Sequence, residues 1–439
     1  MNEVQKYNVN KFDLWACIYV LIVVTLSLFF PNISLVTFLV LFILALPFIY
    51  TPEYFVGICF LFSTISYYFH GAYEGIYSIY TILLVIVFLN CLMNKNMTFQ
   101  KTAFVSIGGL AIIAVLSFNY SQFHYYNGLY KLLYILFVTT VIGNFYRLDI
   151  KILSLVLPKL AGTMTIGYLL SIVYSGSFVD GRLTIASQVN TNSFGMSCAQ
   201  LATILVVSCI VSKNRKGVKI FLSLIIFVLA FLSGSRGALL AFLSASILIY
   251  ILYAKRSGYF AGKFMKLLLI IGVLCAVISP ISSAINYDLT RFSINTIINS
   301  GGSRRTLIYT SIIPFVISNG YWKLGYGPGH DCSTRIIKQL IGWEYSHTHN
   351  TIIEAFCELG ILGLIFTIIV IVKGWLNINK VSKFVKESYI IYGMLICIFI
   401  HGMSESYFCN ISFWLLMAIC RNKYLFYKDE FVESDLGVE

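Results

Sequence analysis

The 439-residue chain is an almost unbroken series of apolar runs, each of a length that crosses a bilayer as a helix. A spanning helix needs about 20 mostly apolar residues, because hydrocarbon offers no partner for a backbone N–H or C=O and each segment must satisfy its own. Hydrophobic residues make up 59% of the chain and charged residues 11%, against about 25% charged in an average soluble domain. A soluble fold of this length has no means of burying so much apolar surface. The ten-residue alternation of an outer-membrane barrel is absent. The expected fold is all-α: a polytopic membrane protein with about 12–14 transmembrane helices, reading as one integral membrane domain over 1–439. The runs begin near Leu14, Ile33, Tyr54, Ile76, Ala103, Lys131, Ile152, Ser193, Ile220, Gly237, Leu267, Thr351, Glu387 and Ser406. The first run, Leu14 to Phe30, is too long for a secretory h-region and lacks a small-residue cleavage site, so a retained helix is expected.

Lys and Arg total 31 against 18 Asp and Glu, a net charge of +13. Such a balance suggests nucleic acid until its distribution is followed. With a cytoplasmic N-terminus, 21 of the 31 basic residues fall in segments on the inner side, and every inner loop but one short turn is basic. This is the positive-inside pattern, which places both termini in the cytoplasm and makes the lipid bilayer, not nucleic acid, the partner. Most cysteines, such as Cys59 and Cys198, lie in apolar runs as small hydrophobes. Cys332 alone sits in a polar loop, and no CxxC occurs, so neither a redox pair nor a metal site is indicated.

Nine basic residues disobey the rule, and six of them lie in the longest polar stretch, the outward loop 286–350. Loops of this length inside compact proteins are usually functional or disordered; Trp322, Tyr326, Trp343 and Tyr345 argue for order. Within the loop, Leu307 to Ser318 is apolar but too short to span and is expected to lie as a helix in the interface. Three outward glycine/serine–arginine sites stand out: Gly181-Arg182; Ser233-Gly234-Ser235-Arg236-Gly237; and Gly301-Gly302-Ser303-Arg304-Arg305. A guanidinium grips phosphate oxygens through a bidentate fork, and glycine lets backbone N–H groups approach the same anion. For any single arginine, a solvated loop position or an interface anchor is an equal explanation. Three such sites on one face favour an anion site.

The fourth feature runs from Ser346 through His347, Thr348, His349 and Asn350 to Glu354 and Glu358-Leu359-Gly360. A neutral imidazole can take a proton from a sugar hydroxyl near neutral pH, and nearby arginines would keep it neutral. Asn350 suits the N-cap of a helix starting near Thr351. Glu354 and Glu358, four apart, share a helical face, and a carboxylate within an apolar run is a functional candidate by default; its plain alternative is a helix–helix hydrogen bond. Glu405 is a weaker candidate of the same kind. His347 and His349 also suggest metal, but only Glu344 and Glu354 lie near in sequence, and no metal is expected. Gly325-Tyr326-Gly327-Pro328-Gly329 has a dinucleotide look, yet no strand is expected before it and no helix after it. With no Walker A sequence, no nucleotide or other cofactor is expected.

These residues, Ser233-Gly234-Ser235-Arg236-Gly237, Gly325-Tyr326-Gly327, His349-Asn350 with Glu354, and Glu358-Leu359-Gly360, resemble in order and spacing the O-antigen polymerase and ligase superfamily. The resemblance implies a GT-C-like, inverting glycosyltransferase acting on undecaprenyl-diphosphate-linked oligosaccharides at the periplasmic or extracellular face of a bacterial cytoplasmic (inner) membrane. It implies that Arg182 and Arg236, with Arg304 or Arg305, hold the diphosphate. His349 would be the base, with Glu354 in the catalytic set and His347 and Asn350 near the glycan. A chain-length regulator protein is a partner it leaves room for. The expected activity is polymerisation of repeat units into O-antigen, capsular or exopolysaccharide. Ligation of the glycan to lipid A-core is the alternative, and export of the lipid-linked glycan the rival from a different class.

Overall fold

A computed structural model describes residues 3–29, 35–62, 101–145, 148–179, 181–185, 190–212, 215–257, 305–343 and 347–422, with isolated positions between 82 and 93 and at 272. The chain is built almost entirely of helices: α1 (Glu3–Phe29), α2 (Leu35–Ala45), α3 (Pro52–Phe62), α4 (Lys101–Tyr120), α5 (Tyr126–Phe145), α6 (Ile150–Ser175), α7 (Thr191–Val211), α8 (Lys216–Leu232), α9 (Arg236–Ser257), α10 (Arg305–Ser318), α11 (His330–Ile341), α12 (Thr351–Ser382), α13 (Tyr389–Gly402) and α14 (Ile411–Arg421). This is an all-α polytopic membrane protein. Helices α6, α7, α9 and α12 are long and apolar enough to cross a membrane. The expected runs near Ile76 and Leu267 lie outside the described residues.

Helix starts follow the chemistry of the cap. Asp149, Asn190, Asn350 and Asn410 each sit in extended backbone and accept hydrogen bonds from first-turn N–H groups of α6, α7, α12 and α14. Such a cap satisfies donors that have no partner within the helix. Helix α7 is the hub of the bundle: it packs against α6, α8, α9 and α13, and its Phe194, Cys198, Ala202 and Leu205 are fully buried. Charged side chains among the described helices have polar partners. Lys159 of α6 meets Asp13 of α1, which also accepts a hydrogen bond from Tyr54 Oη at 3.1 Å, and Arg421 donates to Ser106 Oγ at 2.6 Å.

Three features depart from the expectation of uninterrupted helices joined by loops. First, α12 is broken at Gly360, whose φ of 69° and ψ of −165° are non-helical. The freed backbone groups pair with the glycine-rich turn 325–329. Tyr326 N donates to Cys357 O (3.0 Å), Gly327 N to Glu358 O (3.3 Å), and Ile361 N to Trp322 O (2.8 Å). A break at membrane depth is tolerated only where protein supplies such partners. Second, a helix does follow the Gly325–Gly329 turn. Its start is hidden in sequence because α11 opens on polar residues, and Gly329 N donates to Glu358 Oε2 at 2.9 Å. The dinucleotide reading still lacks its preceding strand, since Tyr321–Leu324 form a turn. Third, residues 177–184 form a small antiparallel hairpin, Ser177–Val179 (β1) with Arg182–Thr184 (β2), registered Phe178 to Leu183.

The loop 286–350 is ordered where it is described. Residues 305–343 carry α10 and α11 and form a small core of their own from Ile308, Ile312, Val316, Tyr326, Ile336 and Ile337, closed by Cys357 of α12. Cys332, the cysteine in a polar stretch, is buried in that core. The expected apolar helix at 307–318 is present as α10.

Candidate functional site

Arg182 is the first residue of β2 and pairs with Val179 just beyond Gly181, whose φ of 70° belongs to the left-handed region. The hairpin carries the guanidinium across to the Ser233–Arg236 turn. Its Nε donates to Ser233 O at 2.7 Å and its Nη2 to Asn192 Oδ1 at 2.6 Å, at the start of α7. That turn is seated on Gly195 of α7: a methyl group there would lie 2.3 Å from Ser233 Oγ and 2.6 Å from Ser235 Cβ. Two of the three glycine/serine–arginine sites are therefore one structural unit. Arg236 then opens α9 and is half-buried. The start of a helix already carries partial positive charge, so a cation there runs against the preferred order and an anion is what both would favour.

The third site contributes Arg305, the first residue of α10 and likewise half-buried; Arg304 and the glycines before it lie outside the described residues. Arg305 is close enough to the histidine segment for its charge to act on His347. The Tyr309 hydroxyl, one turn on, donates to His349 O at 3.3 Å.

Both histidines converge on a residue 56 to 58 positions away. Glu405 Oε1 bonds His347 Nε2 and, at 3.1 Å, His349 Nδ1. The two rings lie 4.1 Å apart between centroids. Burial would push the Glu405 carboxyl up, but His347 and then His349 more than offset it and hold it well below the usual carboxylate range. For His347, burial works against protonation, yet the Glu405 carboxylate outweighs it and leaves the imidazole pKa above its ordinary value. Arg305 opposes the proton on His347, but the Glu405 carboxylate outweighs it. The donor atoms of His347, His349 and Glu405 lie within 4.8 Å of one another, but the nitrogens bond the carboxylate directly, forming an ion-paired cluster.

The turn bearing Glu405 is clamped to the start of α12. Asn350 Nδ2 donates to Met403 O at 3.3 Å, Tyr407 N to Thr351 Oγ1 at 2.9 Å, and the Thr351 hydroxyl to Glu405 O at 3.4 Å. The same turn meets the arginine unit, since a methyl group at Gly237 would come within 2.5 Å of Ser404 Oγ. Arg182, the 233–237 turn, Ser404–Glu405, the histidine pair and α10 thus form one continuous chain of contacts at one end of the bundle.

Two expected site residues have other work. Asn350 caps α12, its Oδ1 accepting from Ile352 N (2.9 Å) and Ile353 N (3.1 Å) while its amide nitrogen holds Met403. Glu354 is fully buried and accepts from Ser333 Oγ at 2.9 Å, Thr348 N at 3.1 Å and the Thr348 hydroxyl. It fixes Thr348, the residue between the two histidines. Glu358 is turned to Gly329 and Cys409. The histidine partner that sequence reasoning ranked low, Glu405, is the carboxylate in the site; its one legible sign was a charge in a short turn between apolar runs.

The described residues form an integral membrane protein in which Arg182, the Arg236 turn and Arg305 lie along one chain of contacts with a histidine–carboxylate cluster. Residues 220–368 match the family model described as O-antigen ligase, in line with the resemblance read from the sequence. The matched stretch contains Arg236, Arg305, His347 and His349; Arg182 and Glu405 lie on either side of it. No curated protein matches the chain.

Proposed function

We propose that the protein is a polymerase that joins undecaprenyl-diphosphate-linked oligosaccharide repeat units into a polysaccharide. It would act on the outer face of a bacterial cytoplasmic membrane, by inverting transfer. The observation that carries the reading is the contact chain from Arg182 and Arg236 through Ser404–Glu405 to His349. It sets anion-binding groups and a candidate base side by side at one end of the bundle. In the reaction the acceptor hydroxyl loses its proton to the histidine, and its oxygen forms the new bond to the anomeric carbon. The carbon–oxygen bond to the donor's diphosphate breaks with its electron pair on the phosphate. A diphosphate departs as a stable anion, so Arg182, Arg236 and Arg305 serve in place of a general acid, and a preorganised donor of this kind is typically worth about 10²–10³ in rate. The positive-inside distribution supports the outward placement of this end.

A ligase that hands the glycan to lipid A-core is the second reading, favoured by the description of the matching family model. The test is purified protein given a lipid-linked repeat unit, with and without lipid A-core, its products resolved on a gel. A ladder from the repeat unit alone supports polymerisation; transfer only to added lipid A-core supports ligation. Transbilayer movement of the lipid without a new glycosidic bond would overturn both.

A further inference from the structure

Glu405 Oε1 is touched by a nitrogen of each histidine. An ionised carboxylate only accepts, so both nitrogens must carry the proton. At His349 the donating atom is Nδ1, and a neutral imidazole has one N–H, which leaves Nε2 with its lone pair. Among the described residues no hydrogen bond reaches His349 Nε2.

We infer that Glu405 divides the work of the two histidines: it fixes the tautomer that makes His349 Nε2 the base of the proposed transfer, while His347 shares its carboxylate and takes no part in the proton transfer.

The backbone supports the assignment. His349 has φ 51°, a left-handed conformation that a non-glycine residue rarely adopts and that concentrates at functional sites. The strain is held from three sides: Tyr309 on its carbonyl, Glu354 on Thr348 before it, and the Asn350 cap after it. Holding the ring there aims one nitrogen at Glu405 and frees the other. The charged groups acting on His347 are Glu405 and Glu354, which favour its proton, and Arg305, which opposes it. When His349 Nε2 takes the acceptor's proton, the imidazolium that forms faces the Glu405 carboxylate, and the added charge is met by the departing diphosphate until the proton passes to water. The inference rests on the proposed transfer only for the identity of the proton donor; the tautomers are properties of the resting protein.

The test has two arms that fail separately. Solid-state NMR of the wild-type protein in lipid, with ¹⁵N-labelled histidine assigned through His347→Gln and His349→Gln, reads the protonation of each ring nitrogen directly. The expected spectrum at neutral pH shows His349 protonated at Nδ1 and not at Nε2, and His347 protonated at Nε2. The opposite tautomer at His349 overturns the inference whatever the protein catalyses. In the kinetic arm, turnover of an undecaprenyl-diphosphate-linked repeat unit should fall about 10²–10⁴-fold in His349→Gln. His347→Gln should stay active with the acid limb of its kcat profile moved up, because Glu405 then serves His349 alone. Glu405→Gln should move that limb down, with Glu405→Asp recovering part of the wild-type profile. An unmoved limb in both His347→Gln and Glu405→Gln overturns the division of work. So does loss of activity on chelation with rescue by zinc, which would make the cluster a metal site.

Discussion

Arg236 and Arg182 reach the same turn by different routes, and their substitution should separate binding from folding. Arg182 is fixed by two hydrogen bonds to groups on different elements. Arg182→Lys keeps the charge but loses the fork, so its turnover is expected near that of Arg182→Ala, about 10²–10³ below wild type, in a transfer assay. The Glu405–His347 pair also makes stability depend on pH in a defined way. Glu405, held below the usual carboxylate range, contributes stability that is complete above about pH 4.3 and lost as pH falls through its lower folded value. His347, held above its ordinary value, contributes stability that is complete below about pH 6.5 and lost as pH rises through its folded value. Melting temperature in nanodiscs should therefore crest on the acid side of neutrality, and Glu405→Gln should flatten both flanks. In sequence the arginines and histidines were legible, because each broke a rule of charge or polarity. Their partner was not: Glu405 is 56 residues from His349, and only the fold folds the turn after α13 back onto the start of α12.

The glycine-rich turn and the Glu358-Leu359-Gly360 stretch meet each other at the break in α12. Both sides need glycine for two independent reasons. Gly325 and Gly360 have φ of 80° and 69°, and a methyl group would come to 2.0 Å from Glu358 O at the first and 2.5 Å from Lys323 at the second. Gly181, at φ 70°, faces open space among the described residues. Gly181→Ala should then cost only the left-handed strain, about 1–2 kcal/mol. Gly325→Ala adds a backbone clash of about 1–3 kcal/mol or more, and thermal unfolding should separate the two variants clearly. Equal losses would contradict the packing described. Asn350→Ala should cost about 1 kcal/mol by loss of the cap, and should also loosen Glu405 through Met403. Apolar periodicity announced most helix starts to within a few residues. It missed the break at Gly360, because the apolar run continues through it, and it missed α11, whose His330-Asp331-Cys332-Ser333 opening reads as loop. The hairpin at 177–184 is too short for alternation to register.

At the scale of the molecule, the apolar runs dictate a helical membrane bundle, and the distribution of basic residues predicts its orientation. Cysteine introduced beside Lys216 and beside Lys323 should be labelled by impermeant maleimide from opposite sides of the membrane, the latter from outside. Labelling of both from one side would overturn the orientation and with it the outward site. The central claim is that the arginines bind a lipid diphosphate and His349 does chemistry on what they hold. One paired measurement tests it most directly: affinity for undecaprenyl diphosphate and turnover of a lipid-linked repeat unit, in the same preparations of wild type, Arg236→Ala and His349→Ala. Binding and turnover should fall together in Arg236→Ala, while His349→Ala binds as wild type and produces no ladder. A His349→Ala protein that still polymerises, or an Arg236→Ala protein that binds the diphosphate unchanged, would contradict it.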